Sequence, residues 1–478
     1  VSSLIEQLRR PAKPRPPGPR GLPLLGCLPG FAADPLAFLE HTAKRYGDLS
    51  HFKLGHGSVM LLTHPADIEA VLVGEHKHCI KDRVTRMLIH VLGEGLLTAE
   101  GDTWRRQRKL AAPTFTPRHI AGYAETMVEH AERSCARVAA AGNAEDLYLV
   151  MARLTLEIVL DTVFGGASSD HAAIARHLDA VMHEFFALSK GIDRVLPPWL
   201  RTPTKARLRA AVAGLDELLY RMIDTRRRAE LATPDDARER DDLFSRMLAA
   251  RDEHGAGMSD VQLRDEALTL VIAGHETTAL SLTHALRWLA RRPALAARAR
   301  AELDAVLGER RPGPEDLPAL PFVGAIIDES LRMYPPAWAI GREATEPFVL
   351  RGADGRSWDI EIGDNLFISP WLVHRDPRWW PEPIRFAPQR WLEPHDRPKF
   401  AFFPFGGGPR ICIGNYFAKL EAVLILAVWL RELDIEIEEP PLGLELLPSI
   451  TLRPVQALPL TARRRRQVAR FSSSRQPD

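Results

Sequence analysis

The stretch Phe405-Gly406-Gly407-Gly408-Pro409-Arg410-Ile411-Cys412-Ile413-Gly414, followed by a helix-like run from about Asn415 to Leu433, decides how this 478-residue chain is read. Its glycines let the backbone fold tightly beneath a flat group. Backbone N–H groups in such a loop can hydrogen-bond the Cys412 sulfur and tune its basicity. The helix that follows brings its positive N-terminal end toward the thiol, which favours the thiolate. Arg410 offers a cation to a carboxylate. A cysteine framed in this way is a candidate iron ligand, because a thiolate pushes electron density to iron and favours O–O cleavage. The other cysteines, Cys27, Cys79 and Cys135, are scattered and form no Cys-x-x-Cys pair. That pattern argues against zinc and against a disulfide scaffold, and it fits a reducing compartment.

Outward from this segment, composition sets broad limits. With 45% apolar residues the chain can bury a large core, and its formal net charge of +1 exerts no bulk pull on nucleic acid or an acidic membrane. No stretch approaches the roughly 20 apolar residues of a membrane span. The start is charged and Pro-rich, and residues 1–22 read as an N-terminal arm. Residues 23–462 read as a single catalytic domain, and 463–478, opening on the basic run from Arg463, as a frayed tail. Within the domain a helix is expected over Pro35–Tyr46 and a hairpin over Leu49–Leu54 and Ser58–Leu62, turning at Gly55-His56-Gly57. Short strands are expected at Val349-Leu350, 358–362 and Asn365–Ile368. Ala229–Asp242 reads as an exposed loop or short surface helix. The fold class is mainly α with a smaller β-rich part.

The longest helical pattern runs from Ser259 to Arg292, capped by Ser259 or Asp260 and stopped by Pro293. At 1.5 Å per residue it is about 50 Å long, and its apolar centre suits a helix crossing the middle of the protein. Midway lies Ala273-Gly274-His275-Glu276-Thr277-Thr278. A mid-helix Gly costs about 1 kcal/mol relative to Ala, and a Glu with two threonines on an apolar helix calls for a functional reason. Thr277 is placed to bond back to the Ala273 carbonyl, opening a notch in which Gly274 leaves room for dioxygen. His275-Glu276 is not the zinc motif H-E-x-x-H, since Ala279 holds the second His position.

Together these motifs resemble those of the cytochrome P-450 superfamily. Phe405, Gly408, Arg410, Cys412 and Gly414 match its F-x-x-G-x-R-x-C-x-G signature, and Ala273–Thr278 matches its oxygen-activation motif. Glu329-Ser330-Leu331-Arg332 matches its E-x-x-R motif, and Trp104 with Arg108 its W-x-x-x-R helix. The resemblance covers nearly the whole chain. It implies that fold, with the long helix over a haem b (iron protoporphyrin IX) whose metal ligand is Cys412. It implies Thr277 and Glu276 as catalytic residues that order oxygen and water and relay protons. Trp104, Arg108, Arg342 and Arg410 are implied as contacts to the haem propionates. Glu329, Arg332 and Arg390 are implied as a buried structural network, in a stretch where Gln389 departs from the commoner Pro-Glu-Arg. His374 also falls where relatives often carry His.

The activity so implied is monooxygenation, one oxygen atom entering the substrate and the other leaving as water. No P-loop or G-x-G-x-x-G fingerprint follows the haem segment, so electrons are expected from separate partners, a ferredoxin or flavodoxin with an NAD(P)H-dependent reductase. Arg105, Arg106 and Lys109 are candidate contacts for an acidic partner. Pocket candidates are Phe185, Ala337, Trp338 and Ile450, within apolar stretches that also include 87–92. They imply a hydrophobic substrate: fatty acid, terpenoid, steroid-like or polyketide. A cytoplasmic monomer without nucleic-acid partners is expected. The rival readings are a peroxide-using or isomerising haem-thiolate enzyme and a non-enzymatic haem sensor.

Overall fold

The computed structural model describes residues 14–142, 144–165, 169–190, 202–232 and 242–465, some side chains within 169–190 and 229–232 excepted. The longer helices are α1 (Pro35–Tyr46), α2 (Gly101–Ala111), α3 (Ala124–Ala141), α4 (Leu147–Phe164), α5 (Ser169–Lys190), α6 (Pro203–Ala232), α7 (Asp260–Arg291), α8 (Pro293–Leu307), α9 (Pro321–Met333) and α10 (Asn415–Glu432). The long helix starts as its sequence indicates. Ser259 accepts from the Gln262 N–H at 3.2 Å while the Gln262 side chain accepts from the Ser259 N–H at 3.0 Å, a reciprocal cap. Residues on all sides of α7 are buried, among them Leu263, Leu268, Ala279, Leu282 and Leu286. It packs against α4, α6, α9 and α10, so it runs through the main core. From Leu420 to Leu430 every residue of α10 is buried, as expected of a helix that is apolar all round.

The largest sheet is built from β1 (Leu49–Leu54), β2 (Gly57–Leu62), β3 (Cys79–Lys81), β4 (Ile340–Ala344) and β7 (Asn365–Ile368), in the order β1-β2-β7-β4-β3. β5 (Phe348–Arg351) and β6 (Ser357–Ile360) form a hairpin beside it. β2 and β7 run parallel, and the other pairs of the large sheet are antiparallel. The β3–β4 register sets Lys81 opposite Arg342. A last hairpin, β8 (Leu446–Pro448) with β9 (Leu452–Pro454), carries Ile450 and Thr451 at its turn.

Residues 15–17 and 459–464 are more tightly held than their composition indicates. Arg15 pairs with Glu361 and Asp364 at 2.6 and 2.5 Å, and the Pro17 carbonyl accepts from the His51 N–H. The strand Pro459–Arg464 pairs Arg463 with Asp434 and Arg464 with Leu433, so sheet structure continues past residue 462. Most of the 229–242 stretch lies outside the described residues. No described helix is long and apolar enough to cross a membrane.

Candidate active site

The Cys412 loop closes on itself. The Cys412 N–H donates to the Phe405 carbonyl at 2.9 Å, and the Ile411 N–H to the Gly408 carbonyl at 3.1 Å. Gly408 has φ +67°, and a Cβ there would stand 1.9 Å from the Leu72 carbonyl oxygen, so glycine is required on both counts. Gly408 therefore seats the loop on the Leu72 backbone and does not line the cavity. The thiol lies deep in the protein, and the surface it exposes is the wall of a cavity of about 450 Å³. Burial pushes the Cys412 thiol up from its ordinary value, while the Gly414 N–H, Arg108 and Lys81 pull it back down.

Cations converge on the same cavity. Lys81, Arg108, Arg342 and Arg410 line it, with Trp104 and Phe405. Arg410 is engaged already: it pairs with Glu100, donates to the Ala99 carbonyl at 2.8 Å and stacks 3.9 Å over the Trp104 ring. Arg342 donates to the Gly341 carbonyl at 2.8 Å. Arg108 and the Lys81 ammonium make no ion pair among the described residues. Burial, then the like charges of Arg342 and Arg410, push Lys81 down to about 7. This unmet positive charge, beside a thiol in an otherwise apolar chamber, fits the two carboxylates and the metal of a haem.

Between Val271 and Thr277 the wall contributed by α7 is unusual for a helix, because five of its carbonyls there accept from side chains. Thr277 donates to Ala273 at 2.9 Å, the turn expected from the sequence. His275 Nδ1–H donates to Val271 at 2.8 Å, Thr278 to Gly274 at 3.3 Å and Ser281 to Thr277 at 2.9 Å. The fifth donor comes from α4, where the Thr155 hydroxyl reaches the His275 carbonyl at 2.8 Å. Glu276 is buried. It accepts from Thr451 Oγ1 at 2.9 Å and from the Tyr148 hydroxyl at 3.2 Å, and it pairs with Arg453. Gly274 lines the cavity, and so does Val159 of α4. A Cβ at Gly274 would lie 3.1 Å from Cγ2 of Val159, so the small residue also serves the close approach of α4 to α7.

Among the pocket candidates, Ala337 and Ile450 line the cavity, as do Leu88, Val91 and Leu92. Trp338 does not. Side chains alternate along an extended segment, so Ala337 and Ala339 face the cavity while Trp338 turns into the small core around Phe52 and Leu61, donating to the Ser449 carbonyl at 2.7 Å. The Phe185 side chain lies outside the described residues. Arg332 binds both carboxylate oxygens of Glu329 at 2.8 Å, and Arg390 joins at 3.2 Å. His374 is fully buried, stays neutral and accepts from the Phe403 N–H at 3.0 Å, away from the cavity. Arg105, Arg106 and Lys109 pair with Asp102, Asp252 and Glu253, which neutralises the patch expected to attract an acidic partner.

Residues beyond the sequence reading also bear on the site: Lys81, Tyr148, Thr155, Glu266, Glu421 and Arg453. Only Glu266 and Glu421 carried a local signal, each being an acid inside an apolar helical run. Lys81 carried none, because its place follows from strand pairing.

Comparison with known proteins agrees with this geometry. The family model described as cytochrome P450 matches residues 16–458. The chain is 36% identical over 417 residues to cyclooctatin synthase of Streptomyces melanosporofaciens, across 86% of this chain and 87% of that one. It is 32% identical over 423 residues to cyclooctat-9-en-7-ol 5-monooxygenase of the same organism, across 86% and 87%. To pentalenene oxygenase of Streptomyces avermitilis it is 30% identical over 444 residues, across 91% and 93%. A buried thiol, cations gathered around it and a helix whose carbonyls are bonded by side chains thus sit in a chain that matches one family from residue 16 to 458: the protein belongs to the cytochrome P450 family and is a monooxygenase.

Proposed function

We propose that this monooxygenase oxidises a cyclic terpenoid, inserting one oxygen atom into a C–H or C=C group. The observation that carries the reading is a single apolar chamber lined by Cys412, by Thr277 and Glu276, and by Val91, Leu92, Leu96, Val159, Leu270 and Ile450. Two relatives bear the names of ring alkenes, pentalenene and cyclooctat-9-en-7-ol, which narrows the hydrophobic class to terpenoids. We assign haem b as the cofactor, with Cys412 as its metal ligand and Lys81, Arg108 and Arg342 as carboxylate contacts; Arg410 and Trp104 stack beside them. Electrons come from a ferredoxin or flavodoxin with its NAD(P)H-dependent reductase, in the cytoplasm, and the protein acts as a monomer.

When bound, haem supplies the reductive activation of dioxygen. The chain's own residues exclude water, hold the substrate and manage protons. Overall, R–H, O₂, two electrons and two protons give R–OH and water. The Thr277 hydroxyl spends its proton on the Ala273 carbonyl, which leaves its oxygen free to accept from a water in the chamber. Glu276, held at Arg453, Thr451 and Tyr148, is the carboxylate through which protons are passed toward Thr277. Glu329, Arg332 and Arg390 hold the core beneath and touch none of the reacting atoms.

The test is spectral and then chemical. The reduced protein with CO should give the red-shifted Soret band of a thiolate-ligated haem, and Cys412→Ser should lose it. Cyclic terpenes should then shift the ferric spin state from low to high and yield oxygenated products with a surrogate redox system. A normal haem spectrum with no terpene response, beside a response to linear fatty acids, would overturn the substrate class alone.

A further inference from the structure

We propose that Glu266 is a specificity-determining positioning residue: acting through the Leu96 N–H, its buried carboxyl holds the Gly93–Thr98 segment as an apolar wall of the substrate chamber. The idea rests on the reading of that chamber as the site of haem and substrate. Leu92, Leu96 and Leu97 line the cavity. Behind them, the backbone of the segment is fastened chiefly to the first turns of α7. Asp265 accepts from the Glu94 N–H at 2.7 Å, Glu266 accepts from the Leu96 N–H at 3.0 Å, and Arg264 donates to the Val91 carbonyl at 3.1 Å. Gln107 of α2 adds a bond to the Glu94 carbonyl at 2.8 Å. The approach is close enough to require Gly95, where a Cβ would stand 2.2 Å from Thr269 Oγ1 and 2.7 Å from the Asp265 carbonyl oxygen.

Glu266 differs from its neighbours in this clasp. Asp265 is paired with Arg264 at 2.8 Å, and Arg264 is paired in turn with Asp216 of α6. Glu266 has no cation partner among the described residues, and its second oxygen, Oε1, has no hydrogen bond there. Such a group is most stable neutral, and burial, with Asp265 beside it, pushes it up to about 8. Asp265 and Arg264 on α7, Asp216 behind them and Glu94 on the segment are the charged groups around it. As pH rises past about 8 the carboxylate forms in apolar surroundings and recovers solvation only by admitting water. The wall should therefore loosen on the alkaline side. Because Glu266 and Glu276 are ten residues apart on one helix, about three turns, the same rigid element sets both the chamber wall and the proton-handling turn.

The test uses the haem-loaded protein and two probes, 1-butylimidazole and 1-decylimidazole, with spectral dissociation constants as readout. Glu266→Ala should reduce the preference for the longer probe at least tenfold at pH 7. Glu266→Gln, which keeps a carbonyl for the Leu96 N–H, should preserve it. Gly95→Ala displaces the wall with Glu266 intact and should reproduce the loss, which decides the matter should Glu266→Ala fail to fold. Between pH 7 and pH 9 the wild-type preference should fall, and that of Glu266→Gln should stay flat. An unchanged preference in Gly95→Ala and Glu266→Ala, or a Glu266→Gln profile that follows wild type, overturns the proposal. Absence of any haem spectral shift with either probe would instead strike the chamber reading, and the proposal with it.

Discussion

Glu421 gives the sharpest quantitative prediction. It sits on α10, fully buried, with neither carboxylate oxygen in a well-formed hydrogen bond among the described residues. The Thr278 hydroxyl is beside it, but its proton points to the Gly274 carbonyl. Burial pushes Glu421 up to about 8, from an ordinary value of 4.5. The sign follows from proton binding. Between those two values the folded chain keeps a proton that the unfolded chain has released, so stability falls as pH rises through that window and levels off above about 8. At about 1.4 kcal/mol per pH unit the whole window is worth about 5 kcal/mol, an upper bound if water reaches the carboxylate. Glu421→Gln removes the titration at nearly constant volume. Chemical denaturation followed by circular dichroism should find the variant close to wild type at pH 5 and several kcal/mol more stable at pH 8.5. Parallel stability–pH curves for the two proteins would refute the argument, showing that the ionised group is solvated or paired in solution.

Four further outcomes are expected. Glu329→Ala removes the carboxylate that pairs with Arg332 and Arg390 and accepts from the Trp391 indole N–H and the Ala387 N–H. It should cost about 3–5 kcal/mol in denaturation experiments, a loss typical of a broken buried pair. Gly274→Ala gains about 1 kcal/mol of helix propensity but presses on Val159; it should destabilise on balance, and Val159→Ala should restore the loss in a double-mutant cycle. Thr277→Ala should keep NAD(P)H consumption while product per NAD(P)H falls severalfold and peroxide rises, whereas fully coupled turnover would remove Thr277 from proton handling. Lys81→Met should weaken haem retention about tenfold, the loss of about 1.4 kcal/mol from one charge-assisted bond, measured by haem transfer to an acceptor protein.

The features legible in sequence were those that act over short stretches. A capping serine, a proline stop and apolar spacing placed α7 to within one residue at each end. The Thr277 bond to Ala273 was foreseeable because it spans one helical turn. The glycines around Cys412 announced a tight loop, and Gly408 is there for the backbone it must clear. The rarity of Gly274 in a helix centre was visible, but its contact with Val159 depends on how α4 lies across α7. Trp338 was misread for a related reason, since alternation says that neighbours face opposite ways without saying which face meets the cavity.

Local sequence was enough for the helical class, the thiol loop and the back-bonded turn of α7, because each depends on residues within a few positions of one another. Tertiary structure alone decided which charges meet. Lys81 joins Arg342 through β3–β4 pairing, Arg453 and Thr451 reach Glu276 from the last hairpin, and Glu266 clasps a loop about 170 residues earlier in the chain. Arg106 and Lys109, cationic in the sequence, are neutralised by acids some 145 residues away. Electrostatic interaction depends on distance and burial, and neither is a property of position along the chain.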